Sequence, residues 1–214
     1  MISDELNNYI LSHIDDEDSI LKKINRETNA KMMHPRMMSG HLQGKVLKML
    51  TQMINPENIL EIGTYTGYSA ISMALGLSKK AKIITIDIND EIEDFTRKFI
   101  TESELSDKIE FLIGDALKII PKLKTTFDMI FIDGEKNEYV KYYDAVFDKL
   151  KKGGYIIADN VLWSGKVIEK NIKNNDYFTK GIIEFNNYIK NDKRVENVIF
   201  PIRDGLNIIR KITN

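Results

Sequence analysis

ILEIGTYTGYSAISMALGL, residues 59–77, is the segment from which the fold of this chain is predicted. It begins with a short apolar run at 59–62, continues through a turn with glycines at 63 and 67, and ends in a segment of helical length and spacing. Glycine permits a tight turn and the close approach of a backbone to a ligand. A turn of this kind also occurs as a mere connection, so by itself it does not establish a binding site.

The same strand–helix alternation continues along the chain. Short apolar runs that predict strands lie at 59–62, 83–86, 109–113, 129–132 and 155–158, and helical segments lie between them at about 69–77, 91–104, 116–123 and 137–150. Apolar strands that alternate with helices indicate a parallel sheet covered on both faces. A helix near 177–189 is followed by two strands, 195–201 and 206–212, whose short link makes them an antiparallel hairpin. The sequence predicts a Rossmann-like, doubly wound α/β fold with a mostly parallel, seven-stranded sheet.

The first 55 residues read as extra helices. Leu6, Ile10 and Ile14 share one helical face, a second apolar stripe follows at 20–24, and another helix is expected from about 40 to 54. We find no repeat and no Pro-, Gly- or Ser-rich linker. The expected organisation is a single domain over 1–214, with a helical cap at 1–55 and a Rossmann-like core at 56–214.

Composition excludes several classes of function. A hydrophobic fraction of 43% with 29% charged residues is globular composition, and the absence of cysteine excludes disulfides, thiolate metal sites and a cysteine nucleophile. A net charge of −1 gives no global reason to bind nucleic acid or an anionic membrane. The acidic N-terminus is unlike a signal peptide, and no apolar run is long enough to span a bilayer. We expect a cytoplasmic protein with no membrane contact.

Carboxylates follow successive strands at the edge where such sheets bind ligands. Asp87 ends the second predicted strand, and Asp115 follows the third. A carboxylate in the position of Asp87 can accept both hydroxyls of a ribose. The G-x-x-x-G spacing of Gly63 and Gly67 differs from the dinucleotide fingerprint and from a P-loop, which disfavours a dehydrogenase. The pattern suits a ligand with a ribose, an adenine and a cation rather than phosphates.

Oxygen ligands follow the next two strands. Asp133 ends the fourth, and Asp159 and Asn160 follow the fifth. Because neighbouring parallel strands lie about 4.8 Å apart, these side chains can meet at one point. An oxygen-only set suits Mg²⁺, Ca²⁺ or Mn²⁺ rather than zinc. The alternative is that these residues only cap turns. Lys136, three residues after Asp133, is a candidate base or an ordinary surface lysine.

Several ordered motifs resemble one known family. They are LEIGTYTGYSAISMA (60–74), TIDIN (85–89), GDA (114–116), FIDGEKNEYVKYYD (131–144) and GGYIIADNVLWSGKV (153–167), with further matches at 40–47 and 204–211. Across nearly the whole chain the sequence resembles class I S-adenosylmethionine-dependent methyltransferases, specifically the catechol and caffeoyl-CoA O-methyltransferase group. Animal catechol enzymes carry a glutamate in the penultimate strand, where this chain has Val198-Ile199-Phe200, so the resemblance is closer to the caffeoyl-CoA and bacterial members.

The resemblance implies roles for individual residues. Those that bind the cofactor would be Met38, Glu61, Gly63, Tyr65, Ser69, Asp87, Asp115, Ala116 and Asp133. Asp133, Asp159 and Asn160 would hold a divalent cation, with Mg²⁺ the first expectation and Ca²⁺ or Mn²⁺ also suited. Lys136 would be the catalytic base, and Met37, Tyr139 and Trp163 would wall the acceptor pocket.

The predicted function is methyl transfer from S-adenosylmethionine to one hydroxyl of a small aromatic vicinal diol, catechol-like or caffeoyl-type. The diol would chelate the cation and lose a proton to Lys136. On the resemblance we also expect a homodimer. A first alternative acceptor is a hydroxyuridine in tRNA, for which the chain offers a basic stripe of Lys22, Lys23, Arg26, Lys31 and Arg36. A second alternative is a cofactor-binding interaction protein without catalysis.

Overall fold

Seven strands form one sheet in the order β3-β2-β1-β4-β5-β7-β6 in the computed structural model, which describes residues 3–213. Residues 1, 2 and 214, the ends of the predicted single domain, lie outside the described residues. The strands are β1 (Asn58–Ile62), β2 (Lys82–Asp87), β3 (Ile109–Ile113), β4 (Phe127–Ile132), β5 (Leu150–Ala158), β6 (Val195–Phe200) and β7 (Leu206–Lys211). Strands β1 to β5 pair in parallel, whereas β7 pairs antiparallel with both β5 and β6. The predicted Rossmann-like fold and its C-terminal antiparallel hairpin are confirmed.

Eight α-helices connect or precede these strands in the described chain. They are α1 (Asp4–Ser12), α2 (Ser19–Lys31), α3 (Gly40–Ile54), α4 (Tyr68–Ala74), α5 (Glu93–Glu102), α6 (Ala116–Ile119), α7 (Tyr139–Phe147) and α8 (Tyr177–Asn191). Helix α3 has the predicted bounds, and α6 is a single turn that continues as a 3₁₀ turn at Ile120–Lys122. None of the described helices is long and apolar enough to cross a membrane.

Strand β5 is the element that departs most from its predicted bounds. It begins at Leu150, five residues before the predicted start, because Leu150 already pairs with Phe127 of β4. The pairing shifts register between Phe127 and Met129, which indicates a bulge. A Cβ at Gly154 would lie 2.9 Å from the Asp128 carbonyl oxygen, so glycine is needed where the two strands crowd. The prediction missed this part of the strand because residues 151–154 are lysines and glycines, which are depleted in strands.

The sheet is buried on both faces. One face packs against α7 and α8 through residues such as Ile130, Tyr143 and Phe185, and the other packs against α3 and α4 through residues such as Leu47 and Ile71. All five of these side chains are fully buried. Burying an aliphatic or aromatic side chain stabilises the fold by about 1.5–3 kcal/mol. The strands are therefore fixed firmly enough to hold side chains in place at their carboxyl ends.

The N-terminal helices differ in how they join this body. Helix α2 buries Leu21, Ile24 and Thr28, and α3 buries Leu47 and Thr51, so both form part of the layer that covers one face of the sheet. Helix α1 has no buried residue. The predicted apolar face of α1 is therefore not part of the core, whereas that of α2 is.

Candidate active site

The strand order reverses between β1 and β4, which places a crevice at their carboxyl ends. The chain runs from β1 outwards to β2 and β3 and then returns to β4 on the other side of β1. We call the ends of β1 to β3 the nucleoside side, with Glu61, Asp87 and Asp115. We call the segments that follow β4 and β5 the cation side, with Asp133, Asp159 and Asn160. The two sides meet where β1 and β4 pair.

The glycine turn after β1 is shaped by the cation side as well as by its own residues. Gly63 has φ of 97°, and a Cβ there would lie 2.7 Å from the carbonyl carbon of Asp133. Gly67 has φ of 81° and precedes the first residue of α4. Tyr65 is also left-handed, with φ of 45°. Gly63 is thus required by the close approach of two strand ends, a reason additional to the ligand contact expected from the sequence.

Asp87 organises the nucleoside side through backbone contacts. Its Oδ2 accepts a hydrogen bond from the Tyr65 amide at 2.7 Å, and its Oδ1 accepts one from the Asn89 amide at 2.9 Å. The side chain remains half-buried, so its remaining lone pairs can accept ligand hydroxyls. The structure brings Asp87 beside the glycine turn, as a ribose-binding role requires.

Glu61 is a buried acid in the wall of the crevice. It is fully buried, and its Oε2 accepts a hydrogen bond from the Thr85 hydroxyl. Its Oε1 has no hydrogen-bond partner among residues 3–213. Burial raises the pKa of Glu61 to about 8, opposed by the nearby hydroxyls of Ser69 and Thr85 and assisted by the charges of Asp133 and Asp87. A ligand that brought an ammonium group or another donor would satisfy this oxygen, so the residue fits the methionine end of the expected cofactor.

The other residues expected at the cofactor lie around the same edge. Asp115 caps α6 by accepting from the Leu117 amide at 2.9 Å, and it lies 3.3 Å from the Lys118 ammonium. Ala116, Ser69 and Met38 are 8%, 5% and 7% exposed. Asp115 therefore caps α6, and a carboxylate with one capping bond has lone pairs left for a ligand.

The cation side joins two carboxylates and an amide at adjacent strand ends. Ile132 and Ala158 are register partners in β4 and β5, and the Asp159 amide donates to the Ile132 carbonyl at 3.0 Å. Asp133 and Asp159 therefore emerge side by side. Asn160 follows with φ of 57°, a left-handed conformation that asparagine tolerates better than most residues.

The Asp159 carboxylate is enclosed by the protein. It is 3% exposed, its Oδ2 accepts from Gln43 Nε2 at 2.6 Å, and its Oδ1 accepts from the Asn160 amide at 2.7 Å. Burial and the charge of Asp133 hold the pKa of Asp159 above its usual range, against the opposing charge of Lys136. One lysine faces two carboxylates, so the site is short of positive charge. A divalent cation fits this donor set.

Lys136 contacts one carboxylate of the cation side and the hydroxyl of Tyr139. Its ammonium lies 2.7 Å from Asp133 Oδ1 and donates to the Tyr139 hydroxyl at 2.9 Å. Burial lowers the pKa of Lys136, but the charge of Asp133 and the contacts with Tyr139 outweigh it and raise the pKa. Its side chain is 13% exposed, which excludes the alternative of an ordinary surface lysine.

Tyr139 was expected in the acceptor pocket, and the structure corrects this expectation. The side chain is fully buried, so it offers no surface to an acceptor. Its hydroxyl lies 3.0 Å from the Asp159 carbonyl, to which it donates, and its ring meets Phe185 edge-on. Tyr139 supports Lys136 and the end of β5 from beneath.

Trp163 lies in a segment with unusual backbone geometry. Trp163, Ser164 and Gly165 have consecutive positive φ of 45°, 53° and 80°. The Trp163 ring is half-buried and meets Phe178 edge-on, with centroids 6.2 Å apart. Left-handed non-glycine residues cluster at functional sites, where the surrounding structure holds them in place. Met37 is 61% exposed and ends the 3₁₀ turn Pro35–Met37 that precedes α3.

Three residues of the site are not predicted from the sequence. Gln43 contacts Asp159, the Arg203 guanidinium donates to Gln43 Oε1 at 3.4 Å, and Asp204 accepts from the Ser164 amide. Gln43 and Asp159 are 116 positions apart, so no local pattern could have revealed the contact. Within residues 3–213 there is no group of three or more His, Cys, Asp and Glu side chains that could hold a metal, so the candidate site depends on the amide of Asn160 as well as its two carboxylates.

Known proteins resemble this chain in sequence and in structure. The sequence model of a family described as O-methyltransferase matches residues 11–212. Caffeoyl-CoA O-methyltransferase from Petroselinum crispum is 35% identical over 99% of this chain and 92% of its own length. Caffeoyl-CoA O-methyltransferase 5 from Nicotiana tabacum is 34% identical over the same shares of each chain. The solved structure of an O-methyltransferase from Bacillus cereus in complex with SAH superposes with a TM-score of 0.89 at 29% identity, over 97% of both chains.

Proposed function

Because this chain belongs to the O-methyltransferase family, we propose that it methylates one hydroxyl of a small aromatic vicinal diol held on a divalent cation. The chain is an S-adenosylmethionine-dependent O-methyltransferase. The diol, catechol-like or caffeoyl-type, and the cation are the proposed parts. One observation carries them: Asp133 and Asp159 emerge side by side from paired strands, with a single lysine to balance two carboxylates.

Each proposed role follows from a position in the crevice. Glu61, Gly63, Tyr65, Ser69 and Asp87 would bind the cofactor, which supplies a methyl group on a positively charged sulfur. Asp133, Asp159 and Asn160 would hold the cation, which lowers the pKa of a coordinated hydroxyl and disfavours the charged form of a nearby lysine. Mg²⁺ is the first choice for a set of three protein oxygens.

Lys136 is the proposed base. Its Nζ is held 2.7 Å from Asp133 and 2.9 Å from the Tyr139 hydroxyl, and it would accept the hydroxyl proton of the acceptor. Met37, Met38 and Trp163 would hold the acceptor ring and exclude water. The cofactor would supply the methyl group to the acceptor oxyanion and leave with a neutral sulfur, so no covalent enzyme intermediate would be needed. Alignment supplies much of the rate acceleration.

An acceptor screen tests the proposal. The purified enzyme is incubated with S-adenosylmethionine and a simple catechol, the matched monohydroxy compound, or bulk tRNA, each with Mg²⁺ or with EDTA. We expect methylation of the catechol alone, lost in EDTA and restored by excess Mg²⁺. Methylation of tRNA alone would contradict the acceptor class, and transfer that persists in EDTA would contradict the cation.

The tRNA alternative gains no support from the surface. Lys23 lies 2.8 Å from Glu102, and Lys31 lies 2.7 Å from Glu27, so two of the five residues of the basic stripe are balanced by carboxylates. The alternative of a non-catalytic interaction protein is set aside by the family membership. We further propose that the protein is a homodimer and that it acts in the cytoplasm. Light scattering of the purified protein tests the oligomeric state.

A further inference from the structure

Gln43 is a buried amide that bridges a carboxylate and a guanidinium. The side chain is 1% exposed, Nε2 donates to Asp159 Oδ2 at 2.6 Å, and Oε1 accepts from Arg203 at 3.4 Å. The opposite charges of its two neighbours fix the orientation of the amide, because the N–H end must face the anion and the oxygen must face the cation. Gln43 therefore holds one oxygen of Asp159 in a defined direction.

The donor to Asp159 is neutral, and this matters at a cation site. The side-chain amide of Gln43 donates to one oxygen of the Asp159 carboxylate, and the backbone N–H of Asn160 donates to the other. Together they fix the plane of the carboxylate without cancelling its charge. A lysine or arginine in place of Gln43 would fix it equally well but would compete with a bound cation. Outer-shell groups that orient the ligands of a metal typically contribute about 10–100-fold to metal affinity.

Arg203 connects this contact to the rest of the crevice mouth. It lies in the turn between β6 and β7 with φ of 51°, and its guanidinium also donates to the Met38 carbonyl at 3.2 Å. The next residue, Asp204, accepts the Leu162 amide at its carbonyl at 2.8 Å and the Ser164 amide at its side chain. The turn thus contacts the segments that carry Met38 and Trp163.

We propose that Gln43, oriented by Arg203, is a positioning residue that holds Asp159 ready to bind the cation. This inference rests on the proposed function, since it assumes that Asp159 is a cation ligand. Two elements outside the ligand-carrying strands would then help to form the cation site: α3 contributes Gln43, and the turn between β6 and β7 contributes Arg203.

The test measures Mn²⁺ binding directly, by the loss of the free-ion electron paramagnetic resonance signal, in the full chain without cofactor or acceptor. We expect Gln43→Met, which keeps length but removes the amide, to bind Mn²⁺ about tenfold more weakly. We expect SAH affinity to stay unchanged, and kcat to recover at saturating Mn²⁺. The matched control is Thr51→Val, a buried polar-to-apolar change on the same helix with its hydroxyl near Met129 rather than the site. It should leave Mn²⁺ affinity unchanged.

Arg203→Lys provides a second variant, because Arg203 is exposed and lysine keeps the positive charge while losing the planar guanidinium that reaches Gln43. It should weaken Mn²⁺ binding in the same direction by about threefold, as the loss of one hydrogen bond to the amide predicts. Equal Mn²⁺ affinity in the wild type and both variants overturns the positioning role. A wild type that binds no Mn²⁺ overturns the proposed cation itself, and the positioning role with it, so the two failures are distinguishable.

Discussion

Asp87 ends β2 on the nucleoside side, and Asp159 follows β5 on the cation side, yet the two carboxylates are held differently. Asp87 accepts from amides 22 and 2 positions away and stays half-buried. Asp159 is 3% exposed and depends on Gln43, 116 positions away. A carboxylate held by nearby turns keeps access to solvent and suits a ligand that enters and leaves. A carboxylate enclosed by distant elements suits a resident ion.

The first prediction concerns the loss of one proposed cation ligand, Asp159. Asp159→Ala should reduce methyl transfer by about 10²–10³-fold or more, since a group that stabilises developing charge typically contributes that much. SAH affinity should change little, because the nucleoside side is intact. Transfer kinetics and calorimetric SAH binding measure the two effects.

The matched control is Asp128→Ala, which removes a carboxylate from the opposite end of β4, where it accepts from the Glu57 and Asn58 amides at 3.0 Å. It should leave transfer unchanged in the folded protein. If Asp159→Ala retained full transfer, the proposed cation ligand would be wrong.

The second prediction concerns the contact between the two sides, where Gly63 approaches the Asp133 carbonyl group. Gly63→Ala places a Cβ against the Asp133 carbonyl at a positive φ, and we expect the free energy of unfolding to fall by about 3 kcal/mol. Gly153→Ala is the control, because Gly153 also has positive φ, 84°, but a Cβ there meets nothing within 4 Å. It should cost about 1 kcal/mol. Urea denaturation measures both, and equal losses would show that the two strand ends do not crowd one another.

The difference between the two sides also explains how far sequence could predict the site. The sequence predicts Asp87, Asp133 and Asp159 at the site because each stands at the end of an apolar run, and parallel strands end at one edge of the sheet. Gln43 was not found, because its role depends on the packing of α3 against the sheet. The sequence also does not predict that Tyr139 is buried. Its place three residues after Lys136 indicates the acceptor pocket, but the packing against Phe185 of α8 depends on a distant part of the chain.

The third prediction separates the two sides by ligand. Asp87→Ala should weaken SAH binding by about 10–100-fold, the usual range for hydrogen bonds to a charged group, and leave Mn²⁺ affinity unchanged. Asp90→Ala, an exposed acid three residues further on, is the control and should alter neither. Calorimetry gives the first affinity and paramagnetic resonance the second. A parallel loss of Mn²⁺ binding would show that the two sides act as one unit.

The fourth prediction concerns Glu61, the one acid of the nucleoside side that is as enclosed as Asp159. Its folded-state pKa of about 8 lies above the ordinary unfolded value of about 4.3, so the folded protein holds the extra proton between them. The stabilising contribution is complete below the unfolded pKa and is lost as pH rises through about 8. The slope contributed by this single group approaches about 1.4 kcal/mol per pH unit within the window.

Glu61→Gln should therefore flatten the fall in unfolding free energy of the ligand-free protein between pH 5 and pH 8, measured by urea denaturation. Glu110→Gln, at an exposed position of β3, should leave the slope as in the wild type. SAH should flatten the wild-type slope too, because a ligand ammonium near the unpartnered Oε1 favours the ionised carboxyl. If Glu61→Gln kept the full slope, the enclosed acids of the cation side would account for it. Enclosure would then shift the protonation of the cation side alone, and Asp159 would be the acid whose burial sets the slope.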